Sequence, residues 1–302
     1  MSEICNKKAM TPYQKARANA RQFKSLTSLS IDKFDILLSV FESTWEAFIE
    51  KYNLDGTPRL RKYVAKNQRQ LPTVADKLFF LLFYKKTHCL QEVMAFQFDL
   101  DVSMVNKWIH LLSPLLNKSL ERFIPASNIE DVDFQIDETY IIDATERPIQ
   151  RDSYEQEAFY SGKKKTHTLK NALLVSTLGL IVWLGETHVG RVHDKTMVQA
   201  LRFPTKVEIL ADLGFLAWQP AKVHLVLPHK KPRNTKTQNK QLPQEQKAFN
   251  KALSKKRVKV ENVLAHVKIL RIVKDKNRNY RLGFRENLMK TACGLYNFRK
   301  AA

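Results

Sequence analysis

Near Pro125 the spacing of apolar residues changes, and this change constrains the fold more than any other feature of the chain. Before it, apolar residues recur every three or four positions, as on helices. After it they come in short runs rich in Ile, Val, Leu, Tyr and Phe, bounded by Gly, Pro and polar residues, as in strands. A chain of 302 residues with such a break reads as two units. The expectation is a helical region over 1–125 and an α/β region over 126–302.

Within the first region, Phe34, Leu37, Leu38, Val40, Phe41, Trp45, Phe48 and Ile49 mark a helix between Ile31 and Tyr52. The turn signal Asp55-Gly56-Thr57-Pro58 follows it. Thr73, after Pro72, is a candidate N-cap for the next helix. From about 73 to 116 three helical pieces are predicted: Val74 to Tyr84, Cys89 to Phe96, and Met104 to Leu115. The tight connection Leu100-Asp101-Val102-Ser103 joins the last two. A short helix, a tight turn and a second helix make the pattern of a helix-turn-helix. With Val105, Trp108 and Ile109 or Leu112 inward, the last helix would offer Ser103, Asn106, Lys107 and His110 to DNA. A plain helical bundle produces the same periodicity.

Charge narrows the partner. The chain holds 51 Lys and Arg against 30 Asp and Glu, a formal charge of +21. The physical partner of such an excess is a polyanion, because each neutralised phosphate releases counterions. Nucleic acid is favoured over an anionic membrane surface. The three cysteines, Cys5, Cys89 and Cys293, are far apart with no CxxC pair, which suggests neither a disulfide framework nor a cysteine zinc site. The N-terminus lacks the apolar core of a signal peptide. The apolar stretches from Leu78 and from Ala172 fall short of the ~20 residues of a spanning helix. The expectation is a cytoplasmic protein, associated with the nucleoid when bound to DNA.

In the second region strands are expected over Phe134 to Ile149, Thr166 to Thr177, Leu180 to Thr187, Val207 to Leu210 and Val223 to Leu227. The second and third would form a hairpin turned at Leu178-Gly179. A short helix is expected from His193 to Leu201, and a long one from Gln244 to about Val273. Three acids stand out. Asp143 lies inside an apolar strand, Asp212 ends another, and Glu261 lies on the long helix. A carboxylate in or at the end of a buried strand costs desolvation energy unless it is paired or binds metal. Taken singly, each has an ordinary structural explanation; Asp212 before Leu213-Gly214 reads as a turn cap. Taken together, three carboxylates on two strands and a helix can hold two Mg²⁺ ions ~3.5–4 Å apart, the arrangement for in-line phosphoryl displacement. Arg257, Glu261 and Lys268 fall on one face of the long helix, with Val258, Val260, Val263, Leu264 and Val267 on its packing side. Asp133, Asp137 and Glu138 are rival first acids. His193-Asp194 reads as a helix start with Asp194 in the first turn, as a metal site, or as a pair orienting the acids. Lys163, Lys164, Lys165 and Lys170, and the loop residues Lys230, Lys231, Arg233 and Lys236, are candidate contacts to a DNA backbone. Trp183 and Trp218 read as core or loop anchors.

Seven ordered blocks carry a resemblance: Ile142–Arg151, Phe159–Asn171, Val192–Lys195, Ala211–Phe215, Leu227–Pro232, Arg257–Glu261 and Cys293–Arg299. Their order and spacing resemble the DDE transposases of bacterial insertion sequences in the insertion-sequence-five group, related to eukaryotic Harbinger elements. The likeness is close over about 130–300 and loose before it. It implies an RNase H-like catalytic fold with Asp143, Asp212 and Glu261 as the catalytic and metal-binding acids, Asp143 bridging two Mg²⁺ ions, with Mn²⁺ as a substitute. The same resemblance, not spacing, selects Asp143 over Asp137. It further implies cleavage at the element ends, attack of the freed 3′-hydroxyl on target DNA, binding of terminal inverted repeats, and a homo-oligomer assembled on DNA. The family signature Tyr-x2-Arg-x3-Glu-x6-Lys is matched by Arg257, Glu261 and Lys268, with Ser254 in place of Tyr. Phe215 stands where many relatives have Tyr. Two alternatives share these residues: a binding protein descended from such an enzyme, and an RNase H-like nuclease that cuts without joining.

Overall fold

The computed structural model of the chain describes residues 10–63, 70–135, 138–151, 156–232 and 241–301. It contains helices α1 (Pro12–Arg17), α2 (Ala20–Thr27), α3 (Ile31–Lys51), α4 (Val74–Thr87), α5 (Gln91–Phe98), α6 (Val102–Ser119), α7 (Gln156–Phe159), α8 (Asp194–Val198), α9 (Gln244–Val267), α10 (Arg271–Lys274) and α11 (Leu282–Ala301). The strands are β1 (Thr139–Pro148), β2 (Tyr160–Ser161), β3 (Thr166–Val175), β4 (Ile181–Leu184), β5 (His188–Val189), β6 (Val207–Leu210) and β7 (Val223–Val226). The chain divides into two compact units. One is Met1–Phe123 with Ile269–Ile272 and Ala301–Ala302; the other is Ile124–Lys268 with Val273–Lys300.

The helical unit owes its helix boundaries to side chains that satisfy the first free N–H groups. Thr73 caps α4 as expected: its Oγ1 accepts from Asp76 N at 3.1 Å, and Asp76 Oδ2 accepts from Thr73 N at 3.2 Å. Helix α4 is buried on nearly every side, with Leu78, Phe79, Phe80, Leu81 and Leu82 at the centre of this unit. Lys77 is buried too. Its Nζ donates to the Leu71 carbonyl at 2.7 Å and lies 5.2 and 5.6 Å from the ring centroids of Trp45 and Trp108. Burial pushes its pKa down to about 8.

Helix α5 ends at Asp99, whose φ of 53° is left-handed, and Leu100 N returns to the Ala95 carbonyl at 2.9 Å. This closure terminates one helix within two residues of the next. Helix α6 is longer than expected, running through Pro114 to Ser119. Proline loses one intrahelical bond, but Leu112, Leu115 and Leu116 on either side of it are buried and hold the helix in place. Val105, Trp108, Ile109 and Leu112 face inward. Ser103, Asn106, Lys107 and His110, at spacings of three, one and three, share the other face. Ser103 and Lys107 are exposed; Asn106 is half-buried, its Nδ2 donating to Gln91 Oε1 at 3.3 Å.

The second unit is built on a mixed sheet of order β2–β3–β1–β6–β7, with β4 and β5 also paired to β3. β1 runs antiparallel to β3 and parallel to β6, and β6 runs parallel to β7. Antiparallel strands on one side of a central strand and parallel strands on the other, flanked by helices, make an RNase H-like fold. One core holds Tyr140, Ile142, Leu174, Trp183, Val198, Phe203, Ile209, Phe215 and Trp218. Trp183 and Trp218 are core anchors, and Trp183 Nε1 donates to the Ser127 carbonyl at 3.0 Å.

Strand β1 begins at Thr139 rather than Phe134, and the rival acid Asp137 lies outside the described residues, as do Arg233 and Lys236. Helix α9 stops at Val267 instead of running to Val273. Helix α11 is fastened to the β3–β4 hairpin. Asn297 accepts from Ile181 N at 3.0 Å and donates to Ile181 O at 2.8 Å, and Tyr296 Oη donates to the Gly179 carbonyl at 2.8 Å. The Cys293–Arg299 block thus has a structural task in this unit. Among the described residues no helix is long and apolar enough to cross a membrane.

Candidate active site

Asp143 is centred on β1, opposite Leu173 of β3. Its Oδ1 accepts from Ala144 N at 2.9 Å. Burial pushes its pKa up to about 6 despite that bond and the nearby Arg257; the charges of Asp212 and Asp194 push the same way as burial. Asp212 follows the last residues of β6, the strand next to β1, and starts the single helical turn Leu213–Phe215. Its Oδ1 accepts from Gly214 N at 2.8 Å. The turn-cap role and the proximity to Asp143 coexist: parallel pairing of β1 and β6 brings both acids to one end of the sheet.

A third carboxylate of this cluster is Asp194, in the first turn of α8. His193 caps that helix, its Nδ1 accepting from Lys195 N at 3.3 Å. The helix-start reading of His193-Asp194 therefore holds. A Cβ on Gly214 would stand 2.8 Å from Asp212 Oδ1 and 3.1 Å from Asp194 Oδ2. The two carboxylates approach each other across a position where a larger residue would make one of them shift.

Helix α9 contributes Arg257, half-buried, whose charge favours ionised Asp143. Arg257 Nε is buried without a hydrogen-bond partner among the described residues. Lys268, at the C-terminus of α9, is half-buried; desolvation lowers its pKa, as does the nearby charge of Lys164, while Asp143 and Glu146 oppose them. Lys164 belongs to the exposed Lys163–Lys165 turn, where Lys165 N donates to Ser161 O at 2.8 Å and Lys165 takes a φ of 54°. Arg257 and Lys268 thus lie beside half-buried Asp143, and Lys164 lies near Lys268. Lys230 and Lys231 are exposed beyond β7, on a loop tied to α9 by paired bonds between His229 and Asn250 at 2.8 and 2.9 Å.

Two expectations need correction. Lys170 is buried, ion-paired to Asp194 and Glu146, and hydrogen-bonded to Val192 O, so it offers no free charge to a DNA backbone. Val258 is 43% exposed rather than on the packing side of α9, because it lies two positions from buried Val260 and points the opposite way. Glu261 is exposed on α9, one turn beyond Arg257. Asp143 and Asp212 are brought together; Glu261 does not join them. Among the described residues no three His, Cys, Asp or Glu side chains stand together as one metal-binding group. Residues 142–151 and 159–171 include Glu146 and Lys170, but only the strand register makes them partners. Phe215, the departure from Tyr, is fully buried beside Trp218, where a phenol hydroxyl would need a partner.

The donor chemistry fits a divalent cation. Asp143 and Asp212 offer hard oxygens, and the carboxylate crowding that disfavours ionised Asp143 is what a cation would relieve. Residues 142–297 match the family described as DDE superfamily endonuclease, over more than half of the chain. The chain belongs to that family. The DDE endonucleases are enzymes that use divalent metal ions to act on a polynucleotide backbone. Among curated proteins the chain is similar to the probable transposase for insertion sequence element IS702 of Microchaete diplosiphon, at 27% identity over 290 residues, 93% of this chain and 95% of that protein. No solved structure matches it.

Proposed function

We propose that this DDE endonuclease is the transposase of an insertion sequence. The observation that carries the reading is the acid pair Asp143 and Asp212 with the cations Arg257 and Lys268 beside Asp143. Half-buried acids alone suit any metal site. Acids with cations beside them suit a phosphodiester that must be attracted and then acted on. The relative's name and the helix-turn-helix residues favour DNA as that polymer.

Asp143 and Asp212 would hold Mg²⁺, with Glu261 of α9 as the third acid. The ions supply Lewis-acid stabilisation of the charge that develops on the phosphate oxygens. Arg257 and Lys268 bind and orient the scissile phosphate from α9, and the Lys163–Lys165 turn holds the flanking backbone. Ser103, Asn106, Lys107 and His110 read the terminal repeats in the major groove. Strand transfer requires two element ends in one assembly, so a dimer or larger complex on DNA is expected.

The test is cleavage of a supercoiled plasmid carrying the element ends in Mg²⁺, comparing wild type with Asp143→Asn, Asp212→Asn and Glu261→Gln. Loss of cutting with retained DNA binding in each variant supports the three-acid assignment. Variants that cut as well as wild type sink it. Pre-cut ends offered with target DNA separate a transposase, which gives joined product, from a nuclease that only cuts.

A further inference from the structure

Lys170 stands on β3 opposite Glu146 of β1, and its side chain is only 10% exposed. Its Nζ donates to Val192 O at 3.0 Å and to Asp194 Oδ1 at 3.3 Å, and lies 3.6 Å from Glu146 Oε1. Two N–H groups are thus hydrogen-bonded, and the ammonium forms ion pairs with two carboxylates. Glu146 is held in turn, because its Oε2 accepts from Thr168 Oγ1 at 2.9 Å. Asp194 uses Oδ1 for Lys170 and turns Oδ2 toward Gly214, the residue whose backbone N–H fixes Asp212.

Bonds thus run from the central strands to Asp194, and Asp194 packs close to the Gly214 turn that fixes the acid after β6. We propose that Lys170 and Asp194 are positioning residues, which hold the Asp212–Gly214 turn in the conformation that lets Asp212 share a metal ion with Asp143. The inference rests on the metal reading of Asp143 and Asp212 given above. Asp212 needs such support. It sits on a single turn that follows a four-residue strand, and its carboxylate is tied down through Gly214 alone. On the far side of Gly214, Asp194 acts as a wall, and Lys170 keeps that wall close and still. Lys170 also anchors Val192, the residue that leads into α8, so both ends of the Val192–Asp194 segment are attached to one cation.

Charge gives the idea a sign that separates positioning from simple electrostatics. Removing a positive charge near a cation site tightens cation binding if charge is all that matters. Removing a positioning lysine loosens it, because Asp194 is released beside two other carboxylates and the Asp212 turn loses its support. A second variant reaches the same point without changing charge. Gly214→Ala places a methyl group against both Asp212 Oδ1 and Asp194 Oδ2, and one of them must move. Gly214 has an ordinary negative φ, so the substitution brings no backbone strain of its own.

The experiment is Mn²⁺ binding to the full chain, read from the electron paramagnetic resonance signal of free Mn²⁺, with thermal melting alongside. The expected result is at least tenfold weaker Mn²⁺ binding in both Lys170→Gln and Gly214→Ala, with melting temperatures within a few degrees of wild type. Binding that is unchanged or tighter in Lys170→Gln overturns the proposal. If Lys170→Gln does not fold, Gly214→Ala decides alone, and wild-type affinity there overturns it. Asp143→Asn is measured in parallel: if it too leaves Mn²⁺ binding unchanged, the metal reading of the site falls together with the inference.

Discussion

Asp143→Asn, made in protein stripped of divalent ions, is expected to raise stability at neutral pH, because the carboxylate it removes is held in an unfavourable place. The pKa of Asp143 is pushed up from an ordinary 3.8 to about 6 by burial, reinforced by the charges of Asp212 and Asp194. Between those two values the folded protein keeps a proton that the unfolded chain has lost. Stability therefore falls as pH rises through this window, and the whole cost stands above about pH 6. At about 1.4 kcal/mol per unit of pH, the upper bound is about 3 kcal/mol. Asp143 is partly open to water, and screening brings this to about 1–2 kcal/mol. Asparagine has nearly the same shape and keeps an oxygen for the Ala144 N–H. At roughly 2–4 °C per kcal/mol for a unit of this size, the variant should melt about 3–6 °C above wild type at pH 7.5 in EDTA. The gap should shrink as pH is lowered toward 4. Mn²⁺ should close it from the other side, by stabilising wild type and not the variant. A variant that melts at or below wild type at pH 7.5 in EDTA would refute the reasoning, because Asp143 would then be adequately solvated or paired.

Three further outcomes are expected. Lys85 is fully buried in α4 and desolvation lowers its pKa to about 7, so folding is opposed below pH 7 and the opposition fades as pH rises toward the ordinary 10.5. Lys85→Met should therefore raise the unfolding midpoint of the helical unit by a larger amount at pH 6 than at pH 9, as followed by urea titration at both. Asn297→Ala removes both bonds to the Ile181 backbone in a buried place and should cost about 2–3 kcal/mol in chemical denaturation, leaving the active-site residues untouched. Lys107→Ala, on the exposed face of α6, should weaken DNA binding across sequences and lower the slope of log affinity against log salt by about one, with an unchanged melt.

Much of the fold was legible in one dimension because burial imposes a period. Apolar spacing located α3, α4 and α6 to within a few residues, and Thr73 announced its own cap. The strands β3, β4, β6 and β7 appeared as short apolar runs. Periodicity failed where a feature depends on what lies opposite. Leu115 stood as the expected end of the last helix of the first region, yet α6 runs on to Ser119, with Leu115, Leu116 and Ser119 buried. Val258 looked like a packing residue, and only its angle about α9 shows otherwise.

The same boundary runs through the site. Residue types placed Asp143 and Asp212 among acids at strand positions and showed a basic chain suited to a polyanion, while the family resemblance chose Asp143 over Asp137. Which charges meet was decided only by tertiary structure. Lys170 reads as one more cation of a basic run until the register of β1 against β3 sets it opposite Glu146 and α8 brings Asp194 to its other side. Asp194 reads as a helix start until Gly214 brings it against Asp212. Glu261 reads as the third acid, and the fold leaves it exposed on α9. The physical reason is range. Backbone propensity and burial period act over a few neighbouring residues and can be read along the chain. A carboxylate's environment is set by charges that strand pairing and helix packing bring together from 24 positions away, in the case of Lys170 and Asp194, and farther for Asp143 and Asp212.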